Sequence, residues 1–110
     1  MLNYDEKARV FKALSDGNRL KIIDILSCGE RCAFDILEHF EFTQPTLSHH
    51  MKVLADLGMV KIRKEGICNY YSLNMEKFHE MLGFLTHTFN EKEDCICRII
   101  DRGKDTKTKL

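Results

Sequence analysis

Residues 43–73, TQPTLSHHMKVLADLGMV running into KIRKEGICNYYSL, decide the fold. Thr43 offers a capping oxygen, and Pro45 falls in the first helical turn, where a missing N–H costs nothing. Leu47, Met51, Leu54 and Leu57 then recur at helical spacing and predict a core stripe. Gln44, Thr46, Ser48, His49 and Lys52 lie off that stripe, near the N-terminal half. Gly58 ends the helix. Beyond it Val60 and Ile62 alternate with Lys61 and Arg63, the pattern of a half-buried strand. Glu65-Gly66 supplies a turn, and Asn69, Tyr71 and Leu73 mark the return strand.

A two-faced helix feeding a basic hairpin is the layout of a winged helix-turn-helix, and it predicts double-stranded DNA as a partner. Upstream, helical periodicity begins near Tyr4, with Ala8, Phe11 and Leu14 on one face. Ser15-Asp16-Gly17-Asn18 interrupts it and caps a second helix over Arg19 to Ser27, which turns Leu20, Ile23 and Leu26, or Ile22 and Ile25, inward. Gly29 is its stop. A short third helix covers Ala33 to Phe40, burying Ile36, Leu37 and Phe40. Downstream, Asn74 caps a long last helix whose apolar positions are Met75, Phe78, Met81, Leu82, Leu85 and Phe89, with Phe84 widening the stripe. The expected fold is mainly α with a β-hairpin wing, in the order α1-α2-α3-α4-β-β-α5. One small domain leaves little core for so broad a last face, so a partner subunit is expected to cover it. Residues 1–91 read as the folded domain, and 92–110 as a polar, cysteine-containing tail.

At 110 residues, 44% hydrophobic and 31% charged, the chain suits one soluble domain with one modest core. It has no apolar run of membrane-spanning length and no signal-peptide stretch, so a cytoplasmic location without membrane attachment is expected. The formal net charge is zero. Its distribution matters more: residues 1–42 hold 8 acids and 6 bases, whereas residues 43–73 hold 4 bases and 2 acids. The excess in the reading segment is small, so two copies are expected to combine for useful affinity. In such a reader the fourth helix enters the major groove. There Gln44 can pair with adenine, the Thr46 and Ser48 hydroxyls can contact bases or phosphates, Lys52 favours guanine or phosphate, and His49 lies on the same face. Arg63 and Lys64 in the wing would hold flanking phosphates, and His50 either touches phosphate or packs at the helix base.

The chain carries a family likeness in two places. Leu14-Ser15-Asp16-Gly17-Asn18-Arg19-Leu20 resembles the LxDxxRLxIL opening of the ArsR/SmtB metalloregulatory repressors. Thr43 to Met51, TQPTLSHHM, resembles their SQPxxSxHL recognition helix, and Val60 to Leu73 looks like their wing. The likeness runs over roughly residues 5–90. It implies a homodimer formed through the first and last helices, which binds an operator when ligand-free and leaves it on binding a metal or metalloid ion.

The ligand site departs from the family pattern. The arsenic-type site is a Cys-x-Cys pair at the start of the third helix, and here Glu30-Arg31-Cys32-Ala33-Phe34-Asp35 keeps the first cysteine and puts Phe34 at the second. Cys95 and Cys97 follow the last helix. With Cys32 they would supply three thiolates, the number a trigonal As(III) or Sb(III) centre uses, and soft sulfur donors select such ions over hard ones. Cys32 would sit at a helix N-terminus, whose positive end favours negative groups. The expected inducer is As(III) or Sb(III), with Cd(II) behind them, and no permanent cofactor is expected. Cys28 reads as core and Cys68 as an incidental wing residue. The family's zinc site on the last helix is incomplete in either register through His79 or His87. A thiol redox or persulfide sensor on the same scaffold is the alternative, and it would cycle two cysteines. No Gly-rich phosphate loop, Ser/His/Asp pattern or paired carboxylates suggest an enzyme.

Overall fold

In the computed structural model, which describes residues 3–90, α1 spans Tyr4–Leu14, α2 Gly17–Leu26, α3 Ala33–Leu37, α4 Gln44–Asp56 and α5 Met75–Phe89. Strands β1 (Arg31–Cys32), β2 (Val60–Glu65) and β3 (Cys68–Leu73) form one antiparallel sheet in the order β1-β3-β2. The expected order of helices and hairpin is present, and β1 is an addition. Two residues are too few to show an alternating pattern, so this strand exists only through its pairing with β3. The chain divides between His79 and Glu80, inside α5, into two compact units.

In the first unit the helix ends follow local chemistry. Asp16 caps α2, its carboxylate accepting from the backbone N–H groups of Asn18 at 2.9 Å and Arg19 at 3.2 Å. Those bonds, the one to Arg19 foremost, hold the Asp16 carboxyl below its ordinary range. At the other end of α4, Gly58 takes φ +77°, a left-handed conformation that a side chain would disfavour. Its N–H donates to Ala55 O and that of Met59 to Leu54 O, both at 2.9 Å. This reciprocal pair satisfies two of the carbonyls a helix leaves open, and it places buried Met59 beside buried Leu54. Asn74 ties the start of α5 to the same turn, its N–H donating to Met59 O and its side-chain amide to Gly58 O.

The core comprises Val10, Ala13, Ile22, Leu26, Ile36, Leu47, Met51, Leu54, Met59, Val60 and Tyr71. Each large member contributes about 1.5–3 kcal/mol by leaving water. Several phases differ from the expectation. On α1 the buried positions are Lys7, Val10 and Ala13, while Ala8 is exposed and Phe11 and Leu14 are half-buried. The apolar residues of α1 fall on two adjacent stripes, and periodicity does not say which faces inward. On α2 the Ile22–Leu26 spacing wins, and Leu20 is exposed. The third helix stops at Leu37, after which the His39 and Phe40 N–H groups bond back three residues in tight turns, leaving Leu37 and Phe40 half-buried. Ile62 is exposed although Val60 on the same side of β2 and Tyr71 opposite it on β3 are both buried.

In the second unit the described residues 80–90 carry the rest of α5. Met81 is buried, whereas Leu82 and Phe89 are exposed. The expected tail from residue 92, with Cys95 and Cys97, lies outside the described residues.

Candidate nucleic-acid interface and thiol pair

Helix α4 separates its faces cleanly. Leu47, Met51 and Leu54 are at most 1% exposed, and Gln44, Thr46, Ser48, His49 and Lys52 all face solvent. The helix opens at Thr43, whose side chain makes no capping bond, with Pro45 in the first turn. The first turn therefore keeps its N–H groups and partial positive charge directed outward, which suits phosphate. Lys52 lies over Asp56 at 3.1 Å, a surface pair that competing anions open easily.

His50 does not share that face. It is 7% exposed, its ring stands 5.4 Å from that of Phe42, and its Nδ1 accepts from Arg19 Nε at 3.1 Å. Of the two roles open to it, packing at the helix base is the one its surroundings fit. Burial holds its imidazole below the ordinary value, with Arg19 and His49 pushing the same way against Asp16. Arg19 also donates to Ala13 O, so one guanidinium joins the end of α1 to α4. Asp16 and Arg19, two constant letters of the opening motif, thus have structural work: one starts a helix and the other ties α4 down.

The wing is arranged differently. Arg63 is held by Glu30 through two hydrogen bonds, Nε to Oε2 at 3.1 Å and Nη2 to Oε1 at 2.8 Å, and by Glu65 through Nη1. Its guanidinium lies 4.6 Å from the centre of the Tyr70 ring. These contacts raise the Arg63 pKa and depress that of Glu30. Lys64 is exposed. Gly66, at φ +63°, and Ile67 make the two-residue turn, and Ile67 is 91% exposed at the tip.

The sheet brings two thiols together. Cys32 opposes Tyr70 across β1 and β3, and Tyr70 opposes Arg63 across β3 and β2. Cys68, two residues before Tyr70, falls on the same side of its strand and is the diagonal neighbour of Cys32. The Cys32 thiol donates to Cys68 Sγ at 3.2 Å, across 36 residues of chain. Cys32 is buried and Cys68 half-buried; Cys28, expected in the core, is exposed because it lies beyond the end of α2. The proton Cys68 can share with Cys32, then burial, raises the Cys68 thiol above its ordinary pKa. Sequence reasoning passed over Cys68, for which the signal was the hairpin phase that sets it with Tyr70, opposite to Tyr71. Among the described residues no cluster of three or more His, Cys, Asp or Glu side chains is placed to hold a metal ion.

The comparisons fit this geometry. Residues 16–61 match the model of the bacterial regulatory protein, arsR family. An arsenical resistance operon repressor of Staphylococcus aureus is 44% identical over 102 residues, covering 93% of this chain and 98% of that protein. The chain belongs to the arsR family. A cadmium resistance transcriptional regulatory protein CadC homolog, also from Staphylococcus aureus, is 46% identical over 76 residues, 68% of this chain and 63% of the relative. The solution structure of a homodimeric winged helix-turn-helix DNA-binding domain from Mycobacterium bovis superposes with a TM-score of 0.64 at 27% identity, covering 94% of this chain and 90% of that one. The fold of this arsR-family member is therefore the winged helix-turn-helix, with a three-stranded sheet. These relatives are regulators of transcription or DNA-binding domains, not enzymes. Among the described residues no helix is long and apolar enough to cross a membrane.

Proposed function

We propose that this chain is a homodimeric transcriptional repressor that holds operator DNA in its ligand-free state and releases it when a thiophilic ion binds cysteine thiolates. The observation that carries the DNA half is the solvent-facing set Gln44, Thr46, Ser48, His49 and Lys52 on a helix whose opposite face is buried. Each protomer lays α4 in a major groove, the wing flanks it, and a two-fold dimer calls for a roughly palindromic operator. The bases at Lys61, Arg63 and Lys64 supply backbone contacts that doubling makes sufficient. Support for the dimer comes from exposed Leu82 and Phe89, seven residues apart on α5, and from the homodimeric domain of similar fold.

The inducer is As(III) or Sb(III), with Cd(II) a weaker one, and the cell holds the protein in its cytoplasm. Support comes from relatives named for arsenical and cadmium resistance and from the position of Cys32 at the start of α3. Cys32 acts with Cys95 and Cys97, sulfur donors suited to soft ions. To regulate, the ion must bind the DNA-incompetent arrangement more tightly; near-complete switching needs about 5.5 kcal/mol of differential affinity. Fluorescence anisotropy of a labelled operator, titrated with As(III), Sb(III), Cd(II) and Zn(II), tests both halves. Dissociation by As(III) at ion concentrations that leave Zn(II) inert is the expected result. Operator binding indifferent to every ion would sink the sensing half, and absence of any sequence-preferring binding would sink the whole.

A further inference from the structure

The Cys32–Cys68 pair has the spacing of a chelate. Two metal–sulfur bonds of about 2.3 Å meeting at roughly 90–110° set their sulfurs about 3.3–3.8 Å apart. The two Sγ atoms stand 3.2 Å apart, so an ion could be seated with shifts of a few tenths of an ångström. Both sulfurs sit on strands of one sheet, which fixes their separation before any ion arrives. Cys68 is half-buried, which leaves an entry path, and Cys32 is shielded from bulk water. Phe34, the residue standing where the family pattern has its second cysteine, is 45% exposed.

We propose that Cys68 is the second sulfur ligand of the inducing ion, and that Cys32 and Cys68 form a two-thiolate clip across β1 and β3. The proposal deepens the sensing function above and rests on it for its physiological ion. With arsenous acid, two S–H and two As–O bonds break, two As–S bonds form, and two water molecules leave. Arsenic stays As(III) and keeps one hydroxyl, which one further thiol displaces as water.

The clip also links ion to DNA. Glu30, two residues before Cys32, holds Arg63 of the wing, and Arg63 stacks on Tyr70, two residues after Cys68. Bridging the two sulfurs fastens β1 to β3 and so keeps Glu30 beside Arg63. An Arg63 kept on a carboxylate is withheld from phosphate. The ion thereby favours the DNA-incompetent wing through a contact already made in the free protein.

Phenylarsine oxide, which as its hydrate joins two thiols with loss of two waters, isolates the pair. The full chain carrying Cys95→Ser/Cys97→Ser is used, so that the downstream pair cannot compete. One equivalent is expected to bind, and alkylation mapping by mass spectrometry should show Cys32 and Cys68 protected while Cys28 reacts. Adding Cys68→Ser should weaken binding by about 100-fold or more, since the second sulfur no longer binds intramolecularly; adding Cys28→Ser should change nothing. Mapping needs no change at Cys68, so it stands even where Cys68→Ser misfolds. Free alkylation of Cys68 in the loaded protein, or equal loss of binding with Cys28→Ser, overturns the clip. If As(III) releases operator from the unaltered chain while Cys68 stays reactive, the clip fails and the repressor function stands. If the arsenical protects both thiols yet As(III) leaves the operator bound, the clip stands and the repressor function falls.

Discussion

Helix α4 and the corner where β1 meets the wing are both built from a few side chains, but they are specified over different distances in the chain. On α4 the apolar stripe and the polar face are interleaved within thirteen residues, Gln44–Asp56, so a helical repeat sorts both at once. At the corner, Cys32 and Cys68 lie 36 residues apart and Glu30 and Arg63 lie 33 apart, and only the sheet register brings them together. The exposed polar face of α4 is a local property of one helix. The thiol-bearing corner is a property of the whole fold.

The sharpest way to break that contrast is to hollow α4 from its inner side. Leu54 is fully buried and touches the turn that closes the helix. Leu54→Ala should cost about 2–5 kcal/mol in urea denaturation, while leaving every solvent-facing side chain of the helix in place. Operator affinity at temperatures well below the new melting point should then change little. A large loss of affinity in a fully folded variant would show that the outer face depends on packing rather than on helix phase alone.

Next in size come the outer residues themselves. Gln44→Ala should weaken operator binding by about 1–3 kcal/mol and relax discrimination at one base pair, seen by comparing operators mutated singly at each position. Arg63→Ala should instead weaken all sequences alike and reduce the slope of log affinity against log salt by about one. An operator-specific effect of Arg63→Ala would mean that the wing reads bases rather than backbone.

Legibility follows the same divide. Length, helix order, hairpin and the α4 faces were all readable, because caps, glycines and three-to-four spacing act between near neighbours. The phase of α1 was not: Val10 and Phe11 are both apolar, and only contact with the rest of the core decides that Val10 is inside. Met59 was missed because it belongs to no stripe and is buried by the reversal at Gly58. The thiol pair was invisible for a related reason. A two-residue β1 leaves no pattern, and without β1 nothing sets Cys68 against Cys32. The likeness to a family pointed at Cys32 and could say nothing of Cys68, since the pattern it carries places its second cysteine where Phe34 stands.

The cap of α2 gives an effect of intermediate size. Asp16→Ala removes the acceptor for two N–H groups of α2 and should cost about 1 kcal/mol by chemical denaturation. Because the folded Asp16 carboxyl is held below its ordinary value, this contribution is present at neutral pH and disappears as pH falls through that depressed value. The variant should therefore match the parent at strongly acid pH and differ from it near neutrality. A difference that persists unchanged at acid pH would assign the loss to packing.

The smallest effect concerns His50, which anchors the base of α4. Its folded pKa lies below the ordinary 6.5, chiefly through burial. Above that value the ring is neutral in both folded and unfolded chains and stability is independent of this group. As pH drops below about 6.5 the unfolded chain takes up the proton first, so folding weakens until the depressed folded pKa is passed. A protonated ring would also lose the Nδ1 acceptor that Arg19 uses, and Arg19 would then face a like charge. As pH falls below about 6.5 the melting temperature should drop, and His50→Gln, which keeps an acceptor without a titrating ring, should flatten that slope. His49, exposed on the neighbouring position of the same helix, provides the control. If His49→Gln flattens the slope and His50→Gln does not, the titrating group belongs to the outer face, and α4 is coupled to pH through its DNA side rather than through its anchor.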